Sequence, residues 1–282
     1  MTICVGVTGP RGNVGTALVK KGAVPLEFII EKDNGETLDN IRKALESVRP
    51  DIIVNTASKT DVTWCEAIEN QDEVIRVNSR GLWNLANVAD ELKIPVVTLS
   101  TDHVFGGKRG PYKENYKHNL RDLPINYYGL SKWAMEDVAK TFNDVKIVRT
   151  SNLFWKDDKR VTWYLDEAYK QSKVKVPVFQ KRSFMYIDHF AEALMAYIEN
   201  YRNMPKVLNI SGSETVDYYT FVRAFADAVD FPFKYKFVRK YFETEKFPAK
   251  RPKRAGLVTS LSTKLRIPQF NYLDGLEAMK GE

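Results

Sequence analysis

The chain is poor in the side chains from which most metal and redox centres are built. Its 282 residues include two cysteines and three histidines. Cys4 falls in an apolar opening strand and Cys65 in a helical stretch. Neither has a partner at metal-ligand spacing, so both read as reduced thiols of a cytoplasmic protein. The histidines do not cluster, which argues against a His-based metal site. No apolar run approaches the roughly 18 residues of a membrane span. Met1 leads almost directly into a strand, and no signal peptide is expected. There is no internal repeat and no low-complexity segment.

What is present suits a soluble globular protein. The hydrophobic fraction of 44% and the charged fraction of 28% are ordinary for that class. The length accommodates one large α/β domain and a smaller lobe. With 43 basic and 36 acidic residues, the formal net charge is +7. That excess fits an anionic small molecule and also fits nucleic acid. The basic residues are spread along the chain apart from Lys250–Arg254, and a charged loop run of that kind is usually solvated, so no nucleic-acid partner is expected.

Thr2–Thr8 is a short β-branched run followed at once by Gly9, Arg11, Gly12, Asn13, Val14 and Gly15, with helical signal continuing through Val19. Strand, glycine loop and helix in that order is the context in which glycines mean dinucleotide binding. They permit a tight turn, and the helix start offers N–H groups to a pyrophosphate. Pro25–Ile30 reads as a second strand, and Asp33 beyond it is a candidate for the adenosine ribose. Pro50–Asn55 reads as a third strand, ending in Asn55-Thr56-Ala57-Ser58, where small residues let a cofactor lie against the backbone. A long amphipathic helix spans 70–92 with Asn78 inside it, where an asparagine is more often locally bonded than functional. Ile94–Leu99 and Lys146–Arg149 complete a β-α alternation through residue 150. The pattern predicts a Rossmann-type doubly wound parallel sheet over 1–150, with its site at the strand C-termini. Residues 151–282 are expected to form mainly a substrate lobe, with a segment near 185–210 returning to the sheet.

Between these strands lies the chemically dense stretch. Ser100, Thr101 and Asp102 sit where the fourth strand ends. Tyr128 and Lys132, four apart, share one face of a helix whose apolar positions are Leu130, Ala134, Val138 and Phe142. A hydroxyl, a phenol and an ammonium can deliver a proton, and Lys132 is placed to lower the pKa of the Tyr128 phenol. A Tyr and a Lys at this spacing also occur by chance on many helices.

Taken with Gly9-x-x-Gly12-x-x-Gly15, Asn55-Thr-Ala-Ser, Asn78 and Ser100-Thr101, the Tyr128-x-x-x-Lys132 pair resembles the extended branch of the short-chain dehydrogenase/reductase family. Ser100-Thr-Asp-x-Val-Phe105, Gly110-Pro-Tyr-x-Glu114 and Arg149-Thr-Ser151 are similar to the branch that reduces nucleotide-linked sugars. The resemblance implies reduction of a 4-keto-6-deoxy sugar on a nucleotide by a reduced nicotinamide. Arg11 in the glycine loop and Lys32 after the second strand could pair with a ribose phosphate, so NADPH is expected, with NADH also accepted. Tyr128 is then the proton donor. Lys132 lowers its pKa and binds the nicotinamide ribose, and Thr101 bonds the carbonyl oxygen. Asp102, His103, Asn152, Arg182 and Arg251 face the substrate. His103 stands where that branch carries Tyr, and Asn152 where it carries Trp, so the sugar stays open. Three alternatives stand beside one another: the reductase, an epimerase or dehydratase of the same family, and a non-catalytic cofactor-binding regulatory subunit. Arg11 reads equally as a contact to a ribose phosphate and as a solvated loop residue. A homodimer is also open.

Overall fold

The computed structural model describes residues 3–28, 30, 35–117, 120–241 and 248–281. In chain order the first half runs β1 (Val5–Thr8), α1 (Asn13–Lys20), β2 (Val24–Leu26), α2 (Gly35–Val48), β3 (Ile52–Asn55), α3 (Val62–Glu66), α4 (Gln71–Ile75), α5 (Gly81–Glu91), β4 (Val96–Thr101), α6 (Tyr127–Thr141) and β5 (Val145–Thr150). A π-helical turn, Arg76–Arg80, joins α4 to α5. The second half adds β6 (Asn152–Phe154), α7 (Lys159–Lys170), β7 (Val174–Pro177), β8 (Lys181–Arg182), β9 (Phe184–Tyr186), α8 (Ile187–Glu199), β10 (Val207–Asn209), β11 (Val216–Asp217), α9 (Tyr218–Ala228), β12 (Phe237–Lys240), α10 (Ser260–Lys264) and α11 (Tyr272–Lys280).

Six strands form one parallel sheet in the order β2-β1-β3-β4-β5-β10. The β-branched runs form its centre because both faces are covered, and every residue of β1, β3 and β4 is buried. Neighbours along a strand enter opposite cores. Ile53, Val96 and Ile147 pack under α2, α5 and α6, while Val54, Val97 and Val148 pack toward Leu18 of α1 and Phe190 and Leu194 of α8. The second core continues into the C-terminal segments through Phe184, Phe221, Phe225 and Leu276. The chain leaves β1 toward β2 on one side and returns to β3 on the other. That reversal opens a crevice above the C-terminal ends of β1 and β3.

Three local expectations are corrected. The second strand stops at Leu26 rather than Ile30, so the residue at its end is Glu27. Cys4 lies just ahead of β1, not inside it. The inner face of α6 is Gly129, Ser131, Lys132, Met135, Glu136 and Ala139, whereas Leu130 is 41% exposed. Apolar periodicity misplaced that face because three of its buried residues are polar, and each has a partner that makes burial tolerable. Lys32 and Asp33 lie outside the described residues.

Candidate active site

Gly9 turns the chain out of β1 at φ +64°, and a Cβ there would come within 2.9 Å of the Ala57 backbone nitrogen. A Cβ on Gly15 would sit 2.2 Å from the Gly9 carbonyl, so this glycine serves the packing of α1 on the loop. Gly12 is the N-cap of α1, and no side chain caps that helix. Its missing Cβ leaves a cradle with a single protein contact, the Gly9 carbonyl at 3.4 Å. Uncapped N–H groups beside a bare glycine surface fit a pyrophosphate. Next to them lies a cavity of about 450 Å³ lined by Gly9, Arg11, Gly12, Phe28, Ala57 and Val77, among others. At its mouth Arg11 meets Glu27 at 3.2 Å, both of them well exposed. The dimensions and lining suit an adenosine, with Glu27 at the β2 end where a ribose would lie.

A second cavity of about 240 Å³ continues along the crevice from Gly12, Asn13 and Val14 past Ser58 to Ser100, Thr101, Tyr128 and Lys132. The hydroxyl, phenol and ammonium named from the sequence therefore share one space with half of the glycine loop. Asn55 does not. It is buried between strands, accepting from Thr8 Oγ1 at 2.7 Å and donating to Thr98 Oγ1 at 3.2 Å, and so ties β1, β3 and β4 together.

Lys132 is buried, with Nζ 3.5 Å from Ser58 Oγ. Burial brings its pKa down to about 8, against an opposing pull from Glu136 one turn along. The Tyr128 phenol is pushed above its ordinary value, first by burial; a hydrogen bond with Thr101 acts in the opposite direction. The expected lowering by Lys132 is thus not what governs this phenol, because burial dominates. A phenol in this state keeps its proton through neutral pH.

The sequence offers Asn78, Ser100 and Arg149 as marks of the family resemblance, but not the polar frame they build. Asn78, in the π-helical turn, accepts from Ser58 Oγ at 2.9 Å and the Lys59 amide at 2.7 Å, and donates to Ser131 Oγ at 2.8 Å. It fastens the loop after β3 to α6, beside Lys132. Glu136 accepts from Ser100 Oγ at 2.6 Å and from two nitrogens of Arg149 at 2.7 and 2.6 Å. Ser100 and Arg149 are register partners on β4 and β5, so this carboxylate clamps α6 onto the sheet one residue before Thr101. Neither role leaves a local sequence signal, since each depends on residues distant in the chain.

On the far side of Thr101 and Tyr128 a polar pocket of about 720 Å³ opens. It brings together Asp102, His103, Asn152, Arg182 and Arg251, all named from the sequence, and adds Ser151, Arg160 and Tyr218. Asp102 is buried and accepts from Ser151 Oγ at 2.6 Å. Burial raises its pKa, opposed first by Arg182, whose Nε lies 3.8 Å away. Arg182 is itself buried, and its terminal nitrogens donate to the carbonyls of Lys181 and Pro252 at 2.8 and 2.6 Å. Its guanidinium therefore lends this wall charge and rigidity more than free donors. Asn152 donates to the Tyr218 hydroxyl at 2.5 Å. Arg251 reaches Thr63 Oγ1 at 3.0 Å across the pocket mouth. Arg160, paired with buried Asp158 at 2.6 Å and lying over Trp155, borders both this pocket and the cofactor cavity.

A separate opening of about 630 Å³ lies at the N-terminal ends of the strands, beside Asp51, Lys93 and Tyr201. It brings together no comparable set of hydroxyl, phenol and ammonium, and parallel sheets present their sites at strand C-termini. Among the described residues no three His, Cys, Asp or Glu side chains converge as metal ligands would, and no helix is long and apolar enough to cross a membrane.

A doubly wound sheet with a glycine loop over its crevice, and Thr101, Tyr128 and Lys132 in the adjoining cavity, defines an NAD(P)-dependent oxidoreductase of the extended short-chain dehydrogenase/reductase type. Within that class the chain belongs to the RmlD substrate binding domain family, which matches residues 1–280. It is 28% identical over 225 residues to the spore coat polysaccharide biosynthesis protein SpsK of Bacillus subtilis, covering 77% of this chain and 76% of that one. It is 34% identical over 150 residues to the dTDP-4-dehydrorhamnose reductase of Sinorhizobium fredii, covering 51% of this chain and 49% of that enzyme. The chain thus aligns with about half the length of this second relative. The crystal structure of dTDP-4-dehydrorhamnose reductase from Bacillus anthracis in complex with NADP superposes with a TM-score of 0.85 over 99% of both chains, at 23% identity, a likeness of fold.

Proposed function

We propose that this protein reduces the keto group of a nucleotide-linked 4-keto-6-deoxy sugar, as a dTDP-4-dehydrorhamnose reductase does, with NADPH as the preferred reductant and NADH accepted. The observation that carries this reading is the convergence of Thr101, Tyr128 and Lys132 between a dinucleotide-shaped crevice and an arginine-lined pocket. Bound reduced nicotinamide supplies a hydride. The glycine loop and the start of α1 hold its pyrophosphate, and Lys132 holds its ribose. Thr101 and Tyr128 bond the substrate carbonyl oxygen, and Tyr128 gives that oxygen its proton as the carbon–oxygen π bond breaks. The phenol, held above its ordinary pKa by burial, begins the step protonated, as a proton donor must. Arg251, with Arg160 beside it, is placed for the substrate's diphosphate. On this reading the cofactor lies on residues 1–150 and the part near 185–210, the sugar nucleotide meets mainly 151–282, and the enzyme is cytoplasmic, with no nucleic-acid or membrane partner.

NADPH oxidation followed against a panel of nucleotide-linked keto sugars tests the proposal. Turnover that depends on a 4-keto-6-deoxy sugar supports it. Cofactor held through the cycle with no net oxidation would favour an epimerase or dehydratase, and binding without any turnover would favour a regulatory subunit.

A further inference from the structure

The geometry points to His103 as a neutral imidazole, protonated on Nε2, that meets the sugar as a hydrogen-bond donor, with Asn126 as the positioning residue that fixes this tautomer. The orientation of the Asn126 amide follows from two partners that can each play one role. The Gly129 backbone N–H can only donate, and it reaches Asn126 Oδ1 at 2.8 Å, which makes Asn126 the N-cap of α6. The Lys250 carbonyl can only accept, and it lies 2.9 Å from Asn126 Nδ2. The other hydrogen of Nδ2 is directed at His103 Nδ1, 3.1 Å away. Facing a donor, Nδ1 must be an acceptor, so the single proton of the neutral ring sits on Nε2. Nδ1 being engaged by Asn126, Nε2 is the nitrogen left for the substrate pocket that His103 lines.

The ring is held firmly and kept uncharged. A Cβ on Gly129 would lie 2.2 Å from the His103 carbonyl, so the first turn of α6 rests directly on the His103 backbone. The ring stands edge-on to Tyr128 at 5.6 Å between centroids. Burial first, then Arg182 and Arg251, hold the imidazole well below its ordinary pKa, with Arg160 acting in the same direction. The nearby acidic group is Asp102, whose own charge is opposed by burial and countered by Arg182. Tyr128 carries no charge at neutral pH. The sugar position facing Nε2 is therefore suited to an oxygen acceptor, a hydroxyl or carbonyl. A protonated amino group there would meet an N–H donor backed by guanidinium groups, so amino sugars bearing a cation at that position are disfavoured. This last step rests on the sugar-nucleotide reading of the site; the tautomer does not.

Long-range proton–nitrogen NMR of the uniformly ¹⁵N-labelled full chain reads the tautomer directly, and with three histidines in the sequence the His103 signals are assigned by their loss in His103→Gln. The expected spectrum has a pyridine-type Nδ1 and a pyrrole-type Nε2 that do not titrate between about pH 5.5 and 8.5, the range in which an ordinary histidine changes charge. Asn126→Ser keeps a good N-cap and removes the amide donor, so the fold should survive while the tautomer bias relaxes. In that variant the sugar-nucleotide KM should rise roughly three- to tenfold, the worth of one neutral hydrogen bond, with NADPH affinity unchanged. A proton on Nδ1 in the wild-type protein, titration near the ordinary histidine value, or an Asn126→Ser spectrum identical to wild type would overturn the assignment. Failure to turn over any sugar would count against the proposed reaction and leave the spectroscopic result readable.

Discussion

A phenol that is to deliver a proton must keep it until the acceptor arrives, and Tyr128, whose pKa burial raises rather than lowers, keeps it through neutral pH. Its neighbour Tyr127 points about 100° away around the helix, with Ser131 rather than Lys132 one turn beyond it. Tyr128→Phe should lower kcat by about 10²–10⁴ with NADPH affinity retained, while Tyr127→Phe stays within a few-fold of wild type. Steady-state kinetics on the two variants separates them, and equal activity would remove Tyr128 from the chemistry. Lys132 carries a sign that can be checked by titration. Its pKa of about 8 means that the ammonium is complete at acid pH and is lost as pH rises through 8. NADPH affinity, measured by fluorescence, should therefore weaken above pH 8, and Lys132→Met should abolish that dependence. Cofactor preference rests on a second pair. Arg11 can hold a ribose phosphate, and Glu27 opposes it by favouring a free ribose hydroxyl. Arg11→Ala should cost NADPH roughly tenfold or more in affinity, the worth of a charge-assisted bond, and leave NADH little changed. Glu27→Gln should move the preference toward NADPH, and a pair of unchanged binding curves would return both residues to the solvated surface.

Helix α6 carries the proposed donor, and three fastenings fix where it stands. Asn126 caps its first turn, Asn78 bonds Ser131 from the π-helical turn, and Glu136 is clamped by Ser100 and Arg149. The last is an ion pair of two buried groups. Taking one charge away strands the other. Glu136→Gln should destabilise the protein by about 3–5 kcal/mol, whereas Glu136→Leu combined with Arg149→Met should recover most of that loss. Urea unfolding of the single and double variants measures the difference, and equal loss in both would show that packing, not charge, sets the cost. The same helix shows how far the sequence could be read. Tyr128 and Lys132 were legible because their spacing fixes them on one face whatever the helix packs against. The inward face itself was not, because Ser131, Lys132 and Glu136 look like surface residues until their distant partners are in place. The strands of the sheet were legible as β-branched runs because both faces of the sheet are covered. The overlong reading of β2 hid Glu27, and Asn55 looked like a cofactor contact because its buried partners Thr8 and Thr98 lie on other strands. Short elements such as β8, β11 and α10 lack the length for any periodicity to show. Asn126 did leave a readable trace, an asparagine directly before a helix start.

At the scale of the whole molecule, the two ligands should stabilise different seams. The cavity that runs from the glycine loop to Lys132 is lined by the loops that follow β1 and β3, the end of β4, α6 and the segment after β5, whereas the polar pocket beyond Thr101 and Tyr128 also draws on the C-terminal half through Tyr218 and Arg251. Asn13 and Thr60–Thr63 approach it from the sheet, and Tyr218 and Arg251 approach from the C-terminal half, with Arg251 already bridging to Thr63 at 3.0 Å. A ligand that binds only the folded state adds RT ln(1 + [L]/Kd), about 2.7 kcal/mol at a hundred times Kd. For a chain of this size that is a rise in Tm of roughly 5–10 °C. NADPH and a dTDP-linked sugar, each at a hundred times its Kd, should therefore raise Tm by similar amounts and nearly additively. In Arg251→Ala the loss of a charge-assisted contact to the diphosphate weakens the sugar nucleotide roughly tenfold or more, so at the same concentration its contribution drops by about half. The NADPH shift should be untouched, because Arg251 borders none of the cavity that runs from the glycine loop to Lys132. Thermal unfolding of wild type and variant with each ligand alone and with both tests this. An equal fall in both shifts would mean that Arg251 acts through the fold, and no fall in either would remove Arg251 from the diphosphate site.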